Sequence, residues 1–399
     1  MGNACRVDDK PRAIEVHASK RKRIQKMPCR ASCYNVNHAS GLSLEHDVLI
    51  VPEQAPPPVV SVQEQDSGWQ KATRAWPAVQ IDLLYMEHMS LLKAAGLEMG
   101  DWMPGSITAA DTLLVIDMQN DYFSSKVAPL GGRMPVPEGE SAVRPVAKLI
   151  QAFAKSGALI VATRDYHPAD HASFYDQGGP YPPHCIQGTA GSWFYSEIEE
   201  ALQEVSTAAA AGNSLGRVEV AFKGFVEEVD SFGAFRYDQE YSEQRMRHST
   251  WDAQLGPDAT GSSAGSWSGA MALKCSNLAH DVNAPPDLDS LFRKDLRPLD
   301  EIIPKDGRLL IVGLALDLGV LDSAVCASRL GYNQVYVAAD ASRATYFSSG
   351  EYGSGFLTDP AFIASSLQAN GVTVVHSADV LWSMEQNTYT ELDLIAELN

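Results

Sequence analysis

The 399-residue sequence has few cysteines, no long apolar run and few basic residues for its number of acidic ones. Its six cysteines are scattered and no secretory segment precedes them, which disfavours a disulfide framework and indicates a reducing compartment. No apolar stretch reaches the ~20 residues that a membrane-spanning helix requires. The net charge of −19 excludes nucleic acid as a general partner. We therefore expect a cytoplasmic protein.

The first 33 residues differ in charge from the rest of the chain. They contain nine Lys/Arg and three Asp/Glu, while the whole chain is strongly acidic. The sequence begins Met-Gly-Asn-Ala-Cys, so Gly2 is a candidate for myristoylation and Cys5 for palmitoylation, although Arg6 stands where the motif prefers Ser or Thr. Two acyl chains, or one chain with a basic patch, anchor a protein stably. Membrane association is therefore one alternative, and an ordinary disordered N-terminus is the other.

Composition divides the chain into three parts. Residues 1–75 contain a proline cluster and little periodicity, which predicts a largely disordered extension. Residues 76–110 are a helical lead-in, because apolar residues between 77 and 100 have the spacing of an amphipathic helix. Residues 111–399 form one domain, with an insertion at about 236–300 that is rich in Ser, Gly and Asp.

Within the domain, apolar strands alternate with helices. The runs Leu113–Ile116 and Ala158–Ala162 lack polar residues, as buried parallel strands do. Further strands are predicted at 218–222, 309–312, 335–338 and 372–375, and helices at 141–156, 320–330 and 360–369. The alternation predicts an α/β fold of three layers, α/β/α, with a parallel sheet flanked by helices. In such sheets the functional site lies at the carboxyl ends of the strands.

Four segments with candidate chemistry follow predicted strands. Asp117 follows the first strand, where it is either a general acid/base or a helix-capping residue. Asp165-x-His167 follows the second, with His171 nearby, and His184 lies on the turn Tyr181–Cys185. Oxygen and nitrogen ligands of this kind suit zinc, iron or manganese, although surface histidines are common. The fourth segment is Phe222-Lys223-Gly224, whose lysine is either a partner of Asp117 or a solvated surface residue.

The order of these segments resembles the nicotinamidase branch of the isochorismatase-like hydrolases. The resemblance covers roughly residues 111–380, apart from the insertion, and implies the isochorismatase-like hydrolase fold. It extends to further motifs: Pro129-Leu130-Gly131, Val136-Pro137-x-Gly139-Glu140, Asp230-Ser231-Phe232-x-Ala234-Phe235, Gly313-Leu314-Ala315-Leu316-Asp317, Leu330-Gly331-Tyr332 and Asp340-Ala341-Ser342-Arg343. Each motif is common, but the ordered set is specific.

The resemblance also implies roles for individual residues. Asp117 would be the general base, with Lys223 as its partner. A divalent metal, zinc with iron or manganese as alternatives, would be held by Asp165, His167 and His184, with His171 close to that shell. Tyr122 and Tyr181 would line the slot for a nicotinamide-like ring, where the family usually has Phe and Trp. Backbone N–H groups from Ala315 to Gly319 would form an oxyanion hole.

The sequence departs from this branch at the nucleophile. There the helix after Gly-x-Ala-x-Asp begins Cys-Val, whereas this chain reads Asp317-Leu318-Gly319-Val320. The register is fixed, because Gly319 precedes Gly331 by the same twelve residues as the family cysteine. Cys326 and Ser323 lie too far along the helix to replace the thiol, and Cys185 aligns with a different family cysteine.

Three functions remain open. The first is a nicotinamidase-like hydrolase, weak or inactive because Gly319 replaces the cysteine, in which activated water takes the place of the thiolate. The second is an isochorismatase-type vinyl-ether hydrolase with Asp117 as the acid. That second branch also has Gly at this position but lacks the Asp-x-His metal residues. The third alternative is a pseudoenzyme that binds nicotinamide or metal and is tethered through its N-terminal extension. A homo-oligomer is expected from the family, although the insertion could block the usual contact.

Overall fold

The structure is a computed structural model that describes residues 82–102, 105–213, 216–227, 230–247, 270–272, 281–286, 297–347 and 355–382. The predicted disordered extension and the acylation candidates Gly2 and Cys5 lie outside these residues. The helices are α1 (Leu83–Ala94), α2 (Gly139–Lys155), α3 (Ser196–Ala210), α4 (Gln239–Arg247), α5 (Leu321–Arg329) and α6 (Pro360–Ala369). The strands are β1 (Thr112–Ile116), β2 (Leu159–Asp165), β3 (Arg217–Lys223), β4 (Met271–Ala272), β5 (Arg297–Pro298), β6 (Leu309–Leu314), β7 (Val335–Arg343) and β8 (Thr373–Val375).

The strands form one sheet in the order β5-β4-β3-β2-β1-β6-β7-β8. The six strands β1, β2, β3, β6, β7 and β8 are parallel to their neighbours, which confirms the predicted parallel sheet. The two short strands β4 and β5 pair antiparallel at the edge beside β3. Both come from the predicted insertion, for which the sequence predicted no strand, so the complete sheet is mixed.

Helices cover both faces of the sheet. Alternate residues of a strand point to opposite faces, and Leu113 and Val115 of β1 contribute to the same buried cluster as α2 and α3. Leu114 and Ile116 contribute to a second cluster with α1, α5 and α6. The central strand is therefore buried on both sides, and the predicted three-layer α/β/α architecture is confirmed.

Helix α1 is anchored at its N-terminus to residues far along the chain. The backbone N–H groups of Leu84 and Tyr85 donate to the two carboxylate oxygens of Glu138, at 3.0 and 2.9 Å. These are two of the N–H groups that a helix start leaves without an internal partner, and an anion is favoured there. Just before the helix, Asp82 pairs with Arg343 at 2.7 Å and accepts from the Ser141 hydroxyl at 2.7 Å. The helix is shorter than the predicted 77–100 segment.

The first part of the predicted insertion is folded against the domain through helix α4. Arg245 of this helix is buried and pairs with Asp322 of α5 at 2.9 Å. The hydroxyls of Tyr237 and Tyr241 donate to the same carboxylate. Among the described helices, none has both the length and the apolar character to cross a bilayer.

Candidate active site

The carboxyl ends of the central strands bring together the residues that the sequence singled out. Asp117 follows β1, Asp165 and Lys223 end β2 and β3, and Gly319 lies in the turn after β6. All four line one pocket. Asp117 has φ +45°, a left-handed conformation that is uncommon for a residue other than glycine and is frequent at functional sites.

Lys223 lies between two carboxylates. Its Nζ is 2.8 Å from Asp117 Oδ2 and 2.5 Å from Asp165 Oδ1, and it also donates to the carbonyl oxygen of Ser231 at 3.2 Å. A lysine ammonium has three donors, so these contacts occupy all of them. The Thr163 hydroxyl donates to Asp117 Oδ1 at 2.7 Å. The lysine is therefore a fixed positive charge inside the site.

The environment separates the pKa values of the two carboxylates. Burial raises the pKa of Asp117 to about 7, although Lys223 opposes the shift. Burial acts in the same direction on Asp165, but Lys223 and His167 outweigh it and hold the pKa of Asp165 at about 2. The pKa of Lys223 is raised, because the attraction of the two carboxylates exceeds the effect of burial. At neutral pH, Asp165 and Lys223 form an ion pair, and Asp117 can gain or lose a proton.

Three predicted ligands lie together beside this pair. The ligand atoms of Asp165, His167 and His184 are all within 4.8 Å of one another, and the three residues are buried. His167 Nδ1 is 2.8 Å from the Gly224 carbonyl oxygen, and His184 Nδ1 is 2.7 Å from that of Pro182. These bonds leave Nε2 of each ring for an ion, an arrangement typical of metal-binding histidines.

The protonation states also suit a metal. Burial lowers the pKa of both His167 and His184 to about 4, so both imidazoles are neutral at pH 7. Neutral imidazole is the form that ligates. Two imidazoles and a carboxylate fit zinc, and they also fit iron with open coordination positions. The residues therefore form a candidate site for a divalent ion.

A second group of possible ligands overlaps the first. It consists of His167, His171 and Asp230, whose ligand atoms are again within 4.8 Å of one another. The His167 and His171 rings stack with centroids 4.2 Å apart. The sequence placed His171 near the metal shell but gave Asp230 no role, even though the motif Asp230-Ser231-Phe232 was part of the resemblance.

The two tyrosines that the resemblance assigns to a ring slot lie at this pocket. Tyr122 and Tyr181 line the pocket, together with Ala315 and two residues that the sequence did not predict, Phe232 and Leu318. The Tyr122 hydroxyl donates to Asp165 Oδ2, a contact that a phenylalanine could not make. The Tyr181 ring lies edge-on to His184, with centroids 6.1 Å apart.

Gly319 is buried in a π-helical turn, Leu316–Val320, which leads directly into α5. A Cβ atom on this glycine would lie 3.4 Å from Asp117 Oδ2, so the position faces the carboxylate. The same Cβ would lie 2.8 Å from Ile116 Cγ2 and 3.0 Å from the carbonyl oxygen of Phe232. These separations are shorter than normal contacts of 3.5–4.0 Å. The neighbours of Gly319 therefore pack closely against its backbone.

No cysteine or serine lines the pocket within the described part of the chain. Cys326, in α5, is part of the buried core, and Cys185 lies beside the Gly191 carbonyl oxygen. Burial raises the pKa of both thiols. The Ser323 hydroxyl donates to the Gly319 carbonyl oxygen at 2.5 Å and accepts from the Ala234 N–H at 2.9 Å. None of these three side chains is placed to attack a ligand in the pocket.

Two contacts hold the segment around Gly319 in place. Arg245 donates to the carbonyl oxygen of Asp317 at 2.6 Å, and the backbone N–H of Leu318 donates to Ala315 at 3.2 Å. The Leu318 amide is therefore already engaged within the segment. Sequence reasoning missed Arg245, because it lies in the insertion, far from every motif.

Part of the domain is similar to known proteins. Residues 111–208 match the family model described as isochorismatase domain. This match covers the part of the domain from β1 to α3. Its similar relatives include the nicotinamidase of Escherichia coli strain K12, 33% identical over 138 residues that cover 31% of this chain and 55% of the relative. The Saccharomyces cerevisiae nicotinamidase is 30% identical over 148 residues, covering 31% and 61%. The chain thus spans about half the length of the curated relatives it matches.

Solved structures are also similar to the chain. A Pyrococcus horikoshii pyrazinamidase in complex with zinc is 23% identical, covers 67% of this chain and 99% of its own, and has a TM-score of 0.39. A protein from L. infantum in complex with nicotinate is 23% identical, covers 69% and 98%, and has a TM-score of 0.41.

Proposed function

We propose that the pocket binds a nicotinamide-like ring beside a divalent metal ion and hydrolyses its amide slowly or not at all. The observation that carries this proposal is the combination of an intact Asp117–Lys223 pair with Gly319, which places no nucleophilic side chain beside that pair. The similarity to nicotinamidases of bacteria and yeast supports the substrate class. The geometry supplies an acid/base and a binding slot, but it supplies no thiol.

Each group has a defined task in this proposal. Asp165, His167 and His184 would hold the ion, which when bound supplies an electrophilic centre for the ring nitrogen or for water. Tyr122 and Tyr181 would hold the flat ring, so that its amide lies near Asp117 and Gly319. Lys223 keeps the Asp117 anion accessible near neutral pH by opposing the effect of burial.

Slow hydrolysis would then proceed through water. The water oxygen forms a bond to the amide carbon while Asp117 accepts a proton from the water. Asp117 returns that proton to the amide nitrogen, the carbon–nitrogen bond breaks, and the products are the pyridine carboxylic acid and ammonia. Without a covalent intermediate this route loses the advantage that a thiolate provides.

The test combines binding with ammonia release. Full-length protein loaded with zinc, iron or manganese is titrated with nicotinamide by calorimetry, and ammonia is measured over hours. We expect binding that depends on the metal, together with slow ammonia release that Asp117→Asn abolishes. Failure to bind nicotinamide with every metal, and without metal, would overturn the proposal. Fast ammonia release that is insensitive to Asp117→Asn would also contradict it.

One observation favours a second function. Because its pKa is about 7, Asp117 is partly protonated at neutral pH and can donate a proton. An isochorismatase-type enzyme needs such an acid and no nucleophile, as the sequence analysis noted. Cleavage of isochorismate by the unmodified protein, lost in Asp117→Asn, would support this alternative, whereas turnover of nicotinamide alone would exclude it.

We also propose that the chain associates with anionic membranes through acylated Gly2 and Cys5 and its basic first segment. The sequence alone supports this proposal, since these residues lie outside the described part. Labelling with a myristate analogue in cells is the test, with Gly2→Ala and Cys5→Ser as variants. Sedimentation of the purified protein tests the expected homo-oligomer.

A further inference from the structure

Arg245 of helix α4 is bonded to the turn Leu316–Val320, which forms one wall of the pocket. Its Nη2 donates to the carbonyl oxygen of Asp317 at 2.6 Å, and its Nη1 donates to the Thr358 hydroxyl at 3.4 Å. That hydroxyl donates to the same carbonyl oxygen at 3.2 Å. The Asp317 carboxylate accepts from the backbone N–H of the pocket residue Thr345 at 2.9 Å. The turn is therefore held through both its backbone and a side chain.

The same arginine is connected to a second wall of the pocket, the segment that contains Phe232. The Arg245 Cζ lies 5.8 Å from the centroid of the Phe232 ring, which lines the pocket. The backbone N–H of the next residue, Gly233, donates to the Tyr237 hydroxyl at 2.8 Å. That hydroxyl donates to Oδ2 of Asp322, the partner of Arg245, at 2.6 Å. One charge pair thus contacts both walls.

This charge pair is enclosed, with side chains that are 2% exposed for Arg245 and 0% for Asp322. A guanidinium presents its donors in a fixed fork. Arg245 can therefore bond to the Asp322 carboxylate through Nε and to the Asp317 carbonyl through Nη2 at the same time. A lysine ammonium is a single nitrogen on a flexible stem and cannot occupy both nitrogen positions. The substitution Arg245→Lys therefore separates the charge of this residue from its bridging contact.

We infer that Arg245 is a positioning residue that sets the turn of Gly319 against the Phe232 segment, so that ring binding depends on the docking of helix α4. The inference rests on the proposed function and adds a means of regulating the same site. Because coupling between two events is reciprocal, a bound ring in turn strengthens the docking of α4. The insertion segment that contains α4 is then a part of the binding site.

The experiment compares ring affinity with local protection. Full-length protein with Zn²⁺ is titrated with nicotinamide by calorimetry, and backbone hydrogen exchange is followed by mass spectrometry for residues 239–247, 316–320 and 112–116. Arg245→Lys is the variant. Arg236→Lys is the matched control, because Arg236 pairs with Asp300 at 2.6 Å, is more than half exposed and does not line the pocket. Urea unfolding verifies that each protein is folded.

We expect Arg245→Lys to bind nicotinamide about tenfold more weakly, within the usual range of coupling between sites. Exchange should be faster at 239–247 and 316–320 but unchanged in strand β1, and Arg236→Lys should match the unmodified protein. Nicotinamide should slow exchange at 239–247 in the unmodified protein and have less effect in Arg245→Lys. If Arg245→Lys does not fold, Tyr237→Phe provides the same test, because it removes the hydroxyl between Gly233 and Asp322 without uncovering a charge.

A purely structural role for Arg245 predicts a different result, in which urea stability falls while the affinity of the folded protein stays the same. Equal nicotinamide affinity in the unmodified protein and the folded variant would therefore overturn the positioning role and leave the proposed function intact. Faster exchange that extends equally to strand β1 would also overturn it. If the unmodified protein does not bind nicotinamide, the proposed function fails and the coupling to ring binding fails with it.

Discussion

Placing a cysteine at position 319 is the sharpest test of how this pocket works. In the Gly319→Cys variant the new Cβ would lie 3.4 Å from Asp117 Oδ2, so the thiol would be beside the group that can accept its proton. A thiolate in that place can attack the carbonyl of a bound amide. We therefore expect faster release of ammonia from nicotinamide than in the unmodified protein.

The structure also predicts that this single substitution is strained. The Cβ would approach Ile116 Cγ2 to 2.8 Å and the Phe232 carbonyl oxygen to 3.0 Å. Ile116 is fully buried, so its methyl group cannot move away freely, and overpacking of this kind costs about 1–3 kcal/mol. Replacing glycine within a helical turn returns roughly 0.5–1 kcal/mol. The net expectation is a less stable protein with a displaced thiol.

A second substitution should relieve the strain. Leucine has no Cγ2 and nearly the same volume as isoleucine, so Ile116→Leu removes the closest contact at a cost below about 1.5 kcal/mol. We expect the Gly319→Cys/Ile116→Leu protein to release ammonia faster than Gly319→Cys. Its loss of unfolding free energy, measured in urea, should be smaller than the sum of the losses in the two single variants. Ile116→Leu alone is the control. Ammonia release from the unmodified protein as fast as from both cysteine variants would refute the reasoning.

Three further predictions concern charge inside the domain. His88 is buried with its ring centroid 4.5 Å from that of Phe356, and burial lowers its pKa to about 4. As the pH falls, His88 is therefore protonated in the unfolded chain before it is protonated in the folded protein. The free energy of unfolding should therefore decrease as the pH falls from 6.5 to 4, by on the order of 3 kcal/mol in total. In urea titrations at several pH values, the His88→Leu protein should not show this decrease. Arg245→Leu leaves the Asp322 carboxylate buried without its cation and should cost about 3–5 kcal/mol; if adding Asp322→Asn restores no stability in urea denaturation, the ion pair is not the cause. Lys223→Met should raise the pKa of the neighbouring carboxylates, visible as acid–base titration shifts in NMR spectra, and an unchanged titration would contradict the assigned coupling.

The elements that sequence predicted best are those with a single strong signal. Strand β1 contains the continuous apolar run Leu113–Ile116, which ends at Asp117, and the strand lies where the sequence predicted it. Helix α6 begins after Asp359, which caps it through the Ala361 N–H, with Pro360 in its first turn. Helix α3 was missed although Ile198, Ala201, Leu202 and Val205 have helical spacing and are buried.

The residues of the candidate site also differ in how well the sequence predicts them. Asp117, Asp165 and Lys223 could be predicted to meet because parallel strands end at one edge of the sheet. The contact between Tyr122 and Asp165 could not, since it depends on the orientation of a side chain that the pattern does not encode. The role of Arg245 could not be predicted either, because the local sequence of a polar insertion does not distinguish a buried arginine from an exposed one.

The start of helix α1 is bound to two segments that also line the pocket. Its first N–H groups are bound by Glu138, which lies two residues after the pocket residue Val136. Asp82, immediately before the helix, is paired with Arg343, whose strand partner Leu314 also lines the pocket. The start of helix α1 and two segments that line the cavity are therefore held together by the same charged side chains, so a substitution at Glu138 or Asp82 would act on both.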